Sequence, residues 1–269
     1  MTGVVHVEHV MGTVVTVDLR GPADLRGAAG SAAAVAAAMN VLHETDRILS
    51  PWKPGSDVSR LRAGLFARGE GHPWTGEVDE QCRRARDLTR GWFDPWRMPG
   101  GYDPTGLVKG WAAQRAAAEL TARGCTDHAV NAGGDVCVRG TADPAGAPGW
   151  RIGVVDPHDR TRILDTVTVC GGAVATSGGY ERGSLAVDPR SGGVVTRLAS
   201  ATVVGPDLGL ADALATAASA AGPAALDWLD TVADYDALLV TIDGDTLVTP
   251  GWARRAAPIG PGSRSYSAS

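Results

Sequence analysis

Apolar positions along the chain recur with two periods. Residues 4–19 hold two β-branched runs, VVHVEHV and GTVVTVDL, broken at Met11-Gly12, and these predict an early pair of strands. Over 28–49 the apolar residues Val35, Met39, Leu42 and Ile48 fall at mainly helical spacing, and Ser50-Pro51 ends that helix. Two more helices are expected over 78–89 and 107–123. Beyond residue 129 the pattern changes to short strands separated by turns: AVN, AGGDVCVRG, WRIGVVDP and ILDTVTVCGGAVATSG. A last hairpin over 235–247 turns near Asp243-Gly244-Asp245. This order predicts an α+β fold with mostly antiparallel sheets and packed helices. Strictly alternating βαβ units are missing, which argues against a Rossmann fold.

One predicted helix carries the chemistry. The segment 205–222, GPDLGLADALATAASAAG, is built of small apolar residues into which Asp212 and Thr216 are set. Four residues apart, they share a helix face, where a carboxylate and a hydroxyl can converge on one cation. The same residues also suit a plainer role, Asp212 favouring the helix dipole and Thr216 returning its hydroxyl to a backbone carbonyl.

The irregular stretches supply further candidates. GWFDPWRMPGGYDPTG packs three prolines, four glycines and four aromatics into sixteen residues, a composition that suits a binding loop rather than a regular element. Lys109 follows it near a helix start, where backbone N–H groups and an ammonium can receive an anion, or where the lysine is simply solvated; the spacing does not fit a Walker loop. Trp52, in a Pro- and Gly-punctuated loop, either lids the core or stacks on a planar ligand, and Ser56 is placed to cap a short helical turn. The glycines of Asn131-Ala132-Gly133-Gly134-Asp135 allow either a tight bend or a close approach to a ligand. Thr176-Ser177-Gly178-Gly179 reads as a phosphate cradle or a turn.

The length of 269 residues fits one large domain or two intertwined lobes; a single domain is expected over 1–252, with 253–269 a disordered tail. A net charge of −5 leaves no basic footprint for nucleic acid or an anionic membrane. The N-terminus does not read as a signal peptide, and no apolar run is long enough to span a bilayer. Cys82, Cys125, Cys137 and Cys170 are widely spaced, without a CxxC pair, so neither zinc nor a disulfide framework is expected. Reduced thiols and a cytoplasmic location fit this pattern.

Taken in order, eight segments resemble the ApbE family of FAD:protein FMN transferases: Met11-Gly12-Thr13, SPWKPGSDVSRL (50–61), GWFDPW (91–96), DPTGLVKGWA (103–112), NAGGD (131–135), ATSGGYERG (175–183), VDPRSG (187–192) and ADALATA (211–217). The resemblance implies an ApbE-like (T-fold-like) architecture and a Mg²⁺-dependent flavin transferase. Such an enzyme splits the FAD pyrophosphate and joins FMN to a Ser or Thr hydroxyl of an acceptor protein; some members instead hydrolyse FAD to FMN and AMP. It further implies that Asp212, Thr216 and the Gly106 carbonyl hold the metal. Met11, Trp52, Phe93, Asp94, Asp103 and Lys109 would line the FAD site, with Thr176, Ser177 and Leu185 beside them. Trp52 stands where the family usually has Tyr, and keeps a stacking ring.

One departure changes the expectation. Leu185 stands where the family's HxxDP places a histidine that takes the proton from the acceptor hydroxyl, and leucine cannot act as a base. Either Asp188, bound water or a histidine from elsewhere takes over, or the fold serves FAD hydrolysis, transfer to a small molecule, or flavin binding without turnover. None of His6, His9, His43, His72, His128 and His158 lies in a family motif.

Overall fold

The computed structural model describes residues 3–20, 27–143, 146, 148–178 and 186–256. Among these, the elements of the first half are β1 (Val4–Val10), β2 (Thr13–Arg20), α1 (Gly27–Leu49), α2 (Asp57–Arg62), α3 (Pro73–Leu88) and α4 (Thr105–Ala122). The second half adds β3 (Asp127–Ala132), β4 (Asp135–Arg139), β5 (Trp150–Val155), β6 (Ile163–Val169), β7 (Gly171–Gly178), β8 (Ala186–Val187) and β9 (Val194–Val195). After these come β10 (Ser200–Gly205), α5 (Leu208–Ala221), α6 (Leu226–Leu229), β11 (Asp236–Val240), β12 (Thr246–Val248) and α7 (Trp252–Arg255).

Eight strands form one sheet in the order β1-β2-β3-β4-β7-β10-β11-β12, every neighbouring pair antiparallel. The expected α+β class with antiparallel pairing is therefore present. Alternation along the central strands sends side chains to two cores, because successive residues of a strand point to opposite faces. Cys137, Ala173, Ala175, Ala201 and Val203 pack with α1, α4 and α5. Val138, Val174 and Val204 pack under the separate β5–β6 hairpin and α7, with Trp150, Val167 and Trp252.

Small residues bring α4 and α5 close. A Cβ at Gly110 would collide with the Leu208 carbonyl, and one at Gly209 would lie 3.2 Å from the Cβ of Trp111. Polar contacts then set the register of the two helices. Asp207 caps α5 by accepting from Leu210 N–H at 2.7 Å, while Gln114 of α4 donates to Asp207 Oδ2 at 2.8 Å and accepts from Leu208 N–H at 2.6 Å. The alanine-rich composition of α5 thus serves close packing that places Asp212 against α4.

Several elements differ from the sequence expectation. α3 starts at Pro73, five residues before the expected 78, because the His72 ring accepts from Trp74 N–H at 3.2 Å and Pro73 occupies the first helical turn. Residues 253–255, expected to belong to the tail, continue α7, and Ala256 bridges to Val167; 257–269 lie outside the described residues. Ser56 caps α2, its hydroxyl accepting from Ser59 N–H at 3.1 Å. Among the described residues the cysteines form no disulfide, and Cys170 is the exposed one. No helix among the described residues is long and apolar enough to cross a membrane.

Candidate active site

The end of α1, the loop before α4, the first turns of α4, the end of β7, the β8–β9 hairpin and one face of α5 enclose a cavity of about 480 Å³. Met11, at the tip of the β1–β2 turn, lines it with a left-handed backbone (φ 54°), and the adjacent Gly12 (φ 66°) completes a two-residue hairpin turn. Trp52, Phe93 and Asp94 line the same space, as do Asp103, Gly106 and Lys109. From the second half of the chain come Thr176, Ser177, Asp212 and Thr216. With Gly133 and Val187 also in its lining, residues from all eight segments share one cavity, although Met11 and Thr216 are separated by most of the chain.

Asp103 and Asp94 are each held by their neighbours. The Asp103 carboxylate accepts from Thr105 N–H (3.0 Å) and Thr105 Oγ1–H (2.7 Å) at the start of α4, and its other oxygen pairs with Arg62 at 3.0 Å. Asp94 accepts from Trp96 N–H at 3.1 Å, fixing the short turn that carries Phe93. Arg68 and Arg86 lie over the Trp96 ring at 5.0 and 5.8 Å, so cationic side chains from outside the loop brace its aromatics. Trp52 is the contrast at 78% exposed, a ring at the mouth whose face is open to a planar partner.

The polar floor lies between α4, β7 and α5. A Cβ at Gly106 would lie 3.0 Å from Thr216 Oγ1 and 3.2 Å from Phe93, so only glycine lets this turn of α4 approach the hydroxyl. Ser177 and Thr216 hydroxyls sit 3.3 Å apart, and Ser219 donates to the Ser177 carbonyl at 3.4 Å. Gly110 N–H, whose helical acceptor position is the Gly106 carbonyl, reaches Asp212 Oδ2 at 3.3 Å. Asp212 is 4% exposed, and burial pushes its carboxyl pKa up, opposed by the Lys109 ammonium 3.7 Å away and by the Gly110 amide.

A residue missed by motif reading completes this floor. Asp135, fully buried at the start of β4, makes direct ionic contact with Lys109 through Oδ2 and accepts from Thr176 N–H at 2.9 Å through Oδ1. Lys109 thus stands between two carboxylates. The sequence offered the acid of NAGGD, but nothing in it paired a residue of β4 with one of α4.

Two expected residues stand apart. Leu185 lies outside the described residues. Asp188 does not line the cavity: its carboxylate accepts from Arg190 N–H at 2.9 Å and pairs with Arg197 at 3.0 Å, which ties the β8–β9 turn to α5 through the Arg197 bond to the Ala220 carbonyl. Its geometry is that of a turn anchor and not of a proton acceptor facing the cleft. Among the described residues no histidine lines the cavity.

The donors assembled here are hydroxyl and carboxylate oxygens, with the Gly106 turn against them, and this is the ligand chemistry of a small hard cation. No cluster of three His, Cys, Asp or Glu suited to a metal occurs among the described residues, so an all-protein cage is not offered. A single carboxylate beside hydroxyls fits Mg²⁺, which keeps waters and substrate oxygens in its shell.

The cleft of this helix-backed antiparallel sheet combines aromatic walls with an oxygen-rich floor. Residues 101–239 match the ApbE family model, and the chain belongs to the ApbE family. It is similar to the FAD:protein FMN transferase of Rhodobacter capsulatus, 35% identical over 154 residues, which is 53% of this chain and 28% of that protein. A second FAD:protein FMN transferase, from Vibrio cholerae, is 31% identical over 124 residues, 42% of this chain and 36% of that one. The matched part spans about a third of the length of these curated relatives. The crystal structure of the ApbE protein of Thermotoga maritima superposes with a TM-score of 0.83 at 21% identity, covering 96% of this chain and all of that one (100%). At that identity the likeness establishes the fold.

Proposed function

We propose that this protein is a Mg²⁺-dependent enzyme acting on the pyrophosphate of FAD, with FMN transfer to a Ser or Thr hydroxyl of an acceptor protein as its parent reaction. The observation that carries this reading is the convergence of Asp212, Thr216 and Gly106 on one floor beneath Trp52, Phe93 and Met11 in a single cleft. Asp212, Thr216 and the Gly106 turn would hold Mg²⁺, which supplies charge neutralisation on the phosphates and polarises phosphorus. Lys109 would meet the pyrophosphate from α4. The aromatic loop and Trp52 would keep the flat rings, and with them the reacting phosphorus, in place while limiting access of bulk water.

In the transfer reaction the acceptor oxygen forms a bond to the FMN phosphorus, the bond to the bridging oxygen breaks, and AMP leaves with that oxygen. The acceptor proton needs a base. Leu185 cannot supply one, and Asp188 is engaged by Arg197 and its own turn. This favours a second reading of the same cleft, hydrolysis of FAD to FMN and AMP with water as the acceptor. Loss of a general base costs about 10²- to 10⁴-fold for a protein hydroxyl and for water alike, but water can pass its proton to neighbouring solvent, whereas an acceptor hydroxyl docked in the cleft needs a residue there to take it.

Incubation with FAD and Mg²⁺, followed by chromatography for AMP and mass spectrometry of candidate acceptors, separates the outcomes. AMP with FMN bonded to a Thr supports transfer, and AMP with free FMN supports hydrolysis. Tight FAD binding without AMP, with or without an acceptor present, would reduce the protein to a flavin carrier and overturn the enzyme reading.

A further inference from the structure

Asp135 touches neither the expected metal ligands nor the open cavity, yet it is fully buried and makes direct ionic contact with Lys109. The same ammonium is 3.7 Å from Asp212 Oδ2. A lysine on a flexible stem between two carboxylates goes to whichever holds it more strongly. Asp135 is well equipped for this: it is immobilised at the start of β4, and the Thr176 N–H bond at 2.9 Å fixes its carboxylate plane.

We infer that Asp135 is a positioning residue that keeps the Lys109 ammonium from closing on Asp212, so that Asp212 stays available to a divalent cation. This rests on the reading of Asp212 as a metal ligand. The electrostatic logic is simple. Asp135, Lys109 and Asp212 together carry two negative charges and one positive, a net −1. Removing the charge of Asp135 leaves one of each sign, and Lys109 then has Asp212 as its remaining buried partner. An ammonium on Asp212 opposes a cation there both by repulsion and by occupying its lone pairs.

Asp135→Asn isolates this effect, because its amide oxygen can still accept from Thr176 N–H while the charge on Lys109's partner is gone. Mn²⁺, visible by electron paramagnetic resonance, is titrated into the protein with and without FAD. In Asp135→Asn its affinity should fall about 10- to 100-fold, the range seen when groups that orient metal ligands are lost. The double variant Asp135→Asn/Lys109→Met restores the net −1 at Asp212 and should recover most of the wild-type Mn²⁺ affinity measured without FAD. A merely structural role for Asp135 would not be rescued by removing a second side chain.

Wild-type affinity in Asp135→Asn, or a double variant as weak as the single one, overturns the inference and leaves the metal reading intact. Absence of Mn²⁺ binding by the wild-type protein under both conditions would instead overturn the metal reading, and this inference with it. Should Asp135→Asn fail to fold, the double variant, in which Asp212 is the single charge left of the three, remains decisive: lost Mn²⁺ binding there sinks the proposal.

Discussion

Buried carboxylates occur on both faces of the sheet, and they are treated differently. On the face carrying the β5–β6 hairpin and α7, Asp165 accepts from the Trp252 indole N–H at 2.8 Å and from Thr166 N–H at 2.7 Å, while Asp236 pairs with Arg255 at 2.8 Å and accepts from Thr249. These partners close on the carboxylates from neighbouring elements and join α7 to the sheet. On the helical face Asp212 shares one lysine with Asp135 and opens on a cavity. Burial alone therefore does not mark a site. A buried acid whose partner is shared with a second acid, with a hydroxyl and a glycine turn beside it, can exchange that partner for a ligand, whereas one enclosed by its own donors serves the fold.

Substitutions on the two faces should separate chemistry from stability. The largest effect is expected from Asp212→Ala, which should lower Mg²⁺-dependent AMP release about 100-fold or more while the protein stays folded, since burial already disfavours that charge. Turnover equal to wild type would move the metal site elsewhere. Trp252→Ala inverts the pattern. Trp252 is fully buried, and its loss should cost about 4 kcal/mol in a denaturant titration, with AMP release per folded molecule unchanged. Impaired turnover of the folded fraction would show that the two faces are coupled.

Trp52→Ala is expected to change stability by less than about 0.5 kcal/mol, because the ring is 78% exposed, yet to weaken FAD binding about tenfold by calorimetry. Unchanged affinity would make the ring an ornament of the mouth.

The smallest effect concerns pH. His128 on β3 is buried with Nδ1 3.0 Å from the Cys125 carbonyl, and burial holds its pKa below the ordinary 6.5. The unfolded chain binds a proton below that value before the folded protein does. The contribution of His128 is thus complete above pH 6.5 and is lost as pH falls through 6.5 toward the lower folded pKa. His128→Asn should flatten the fall in denaturation midpoint between about pH 7.5 and about pH 5.5. An equally steep fall in the variant would assign the acid sensitivity to other groups.

Much of the architecture was legible because its causes are local. β-branched alternation predicted β1 and β2, helical spacing predicted α1, and the Asp243-Gly244-Asp245 turn predicted the β11–β12 hairpin. The start of α3 was missed because a histidine, an uncommon cap, receives the Trp74 amide. The site was legible in part for a similar reason: Asp212 and Thr216 share a helix face, a relation that sequence spacing alone can express.

What the sequence determined by itself was the set of elements, their periodicity and the residue types capable of the chemistry. Tertiary structure decided which of them meet. The β5–β6 hairpin leaves the sheet so that β4 can pair with β7, and that pairing brings Asp135 to Thr176 and, across α4, to Lys109. It also set Asp188 against Arg197. Backbone propensity acts over a few residues, whereas ion pairs and cavities depend on segments that only the packed sheet and helices bring within a few ångströms, and no local pattern encodes that distance.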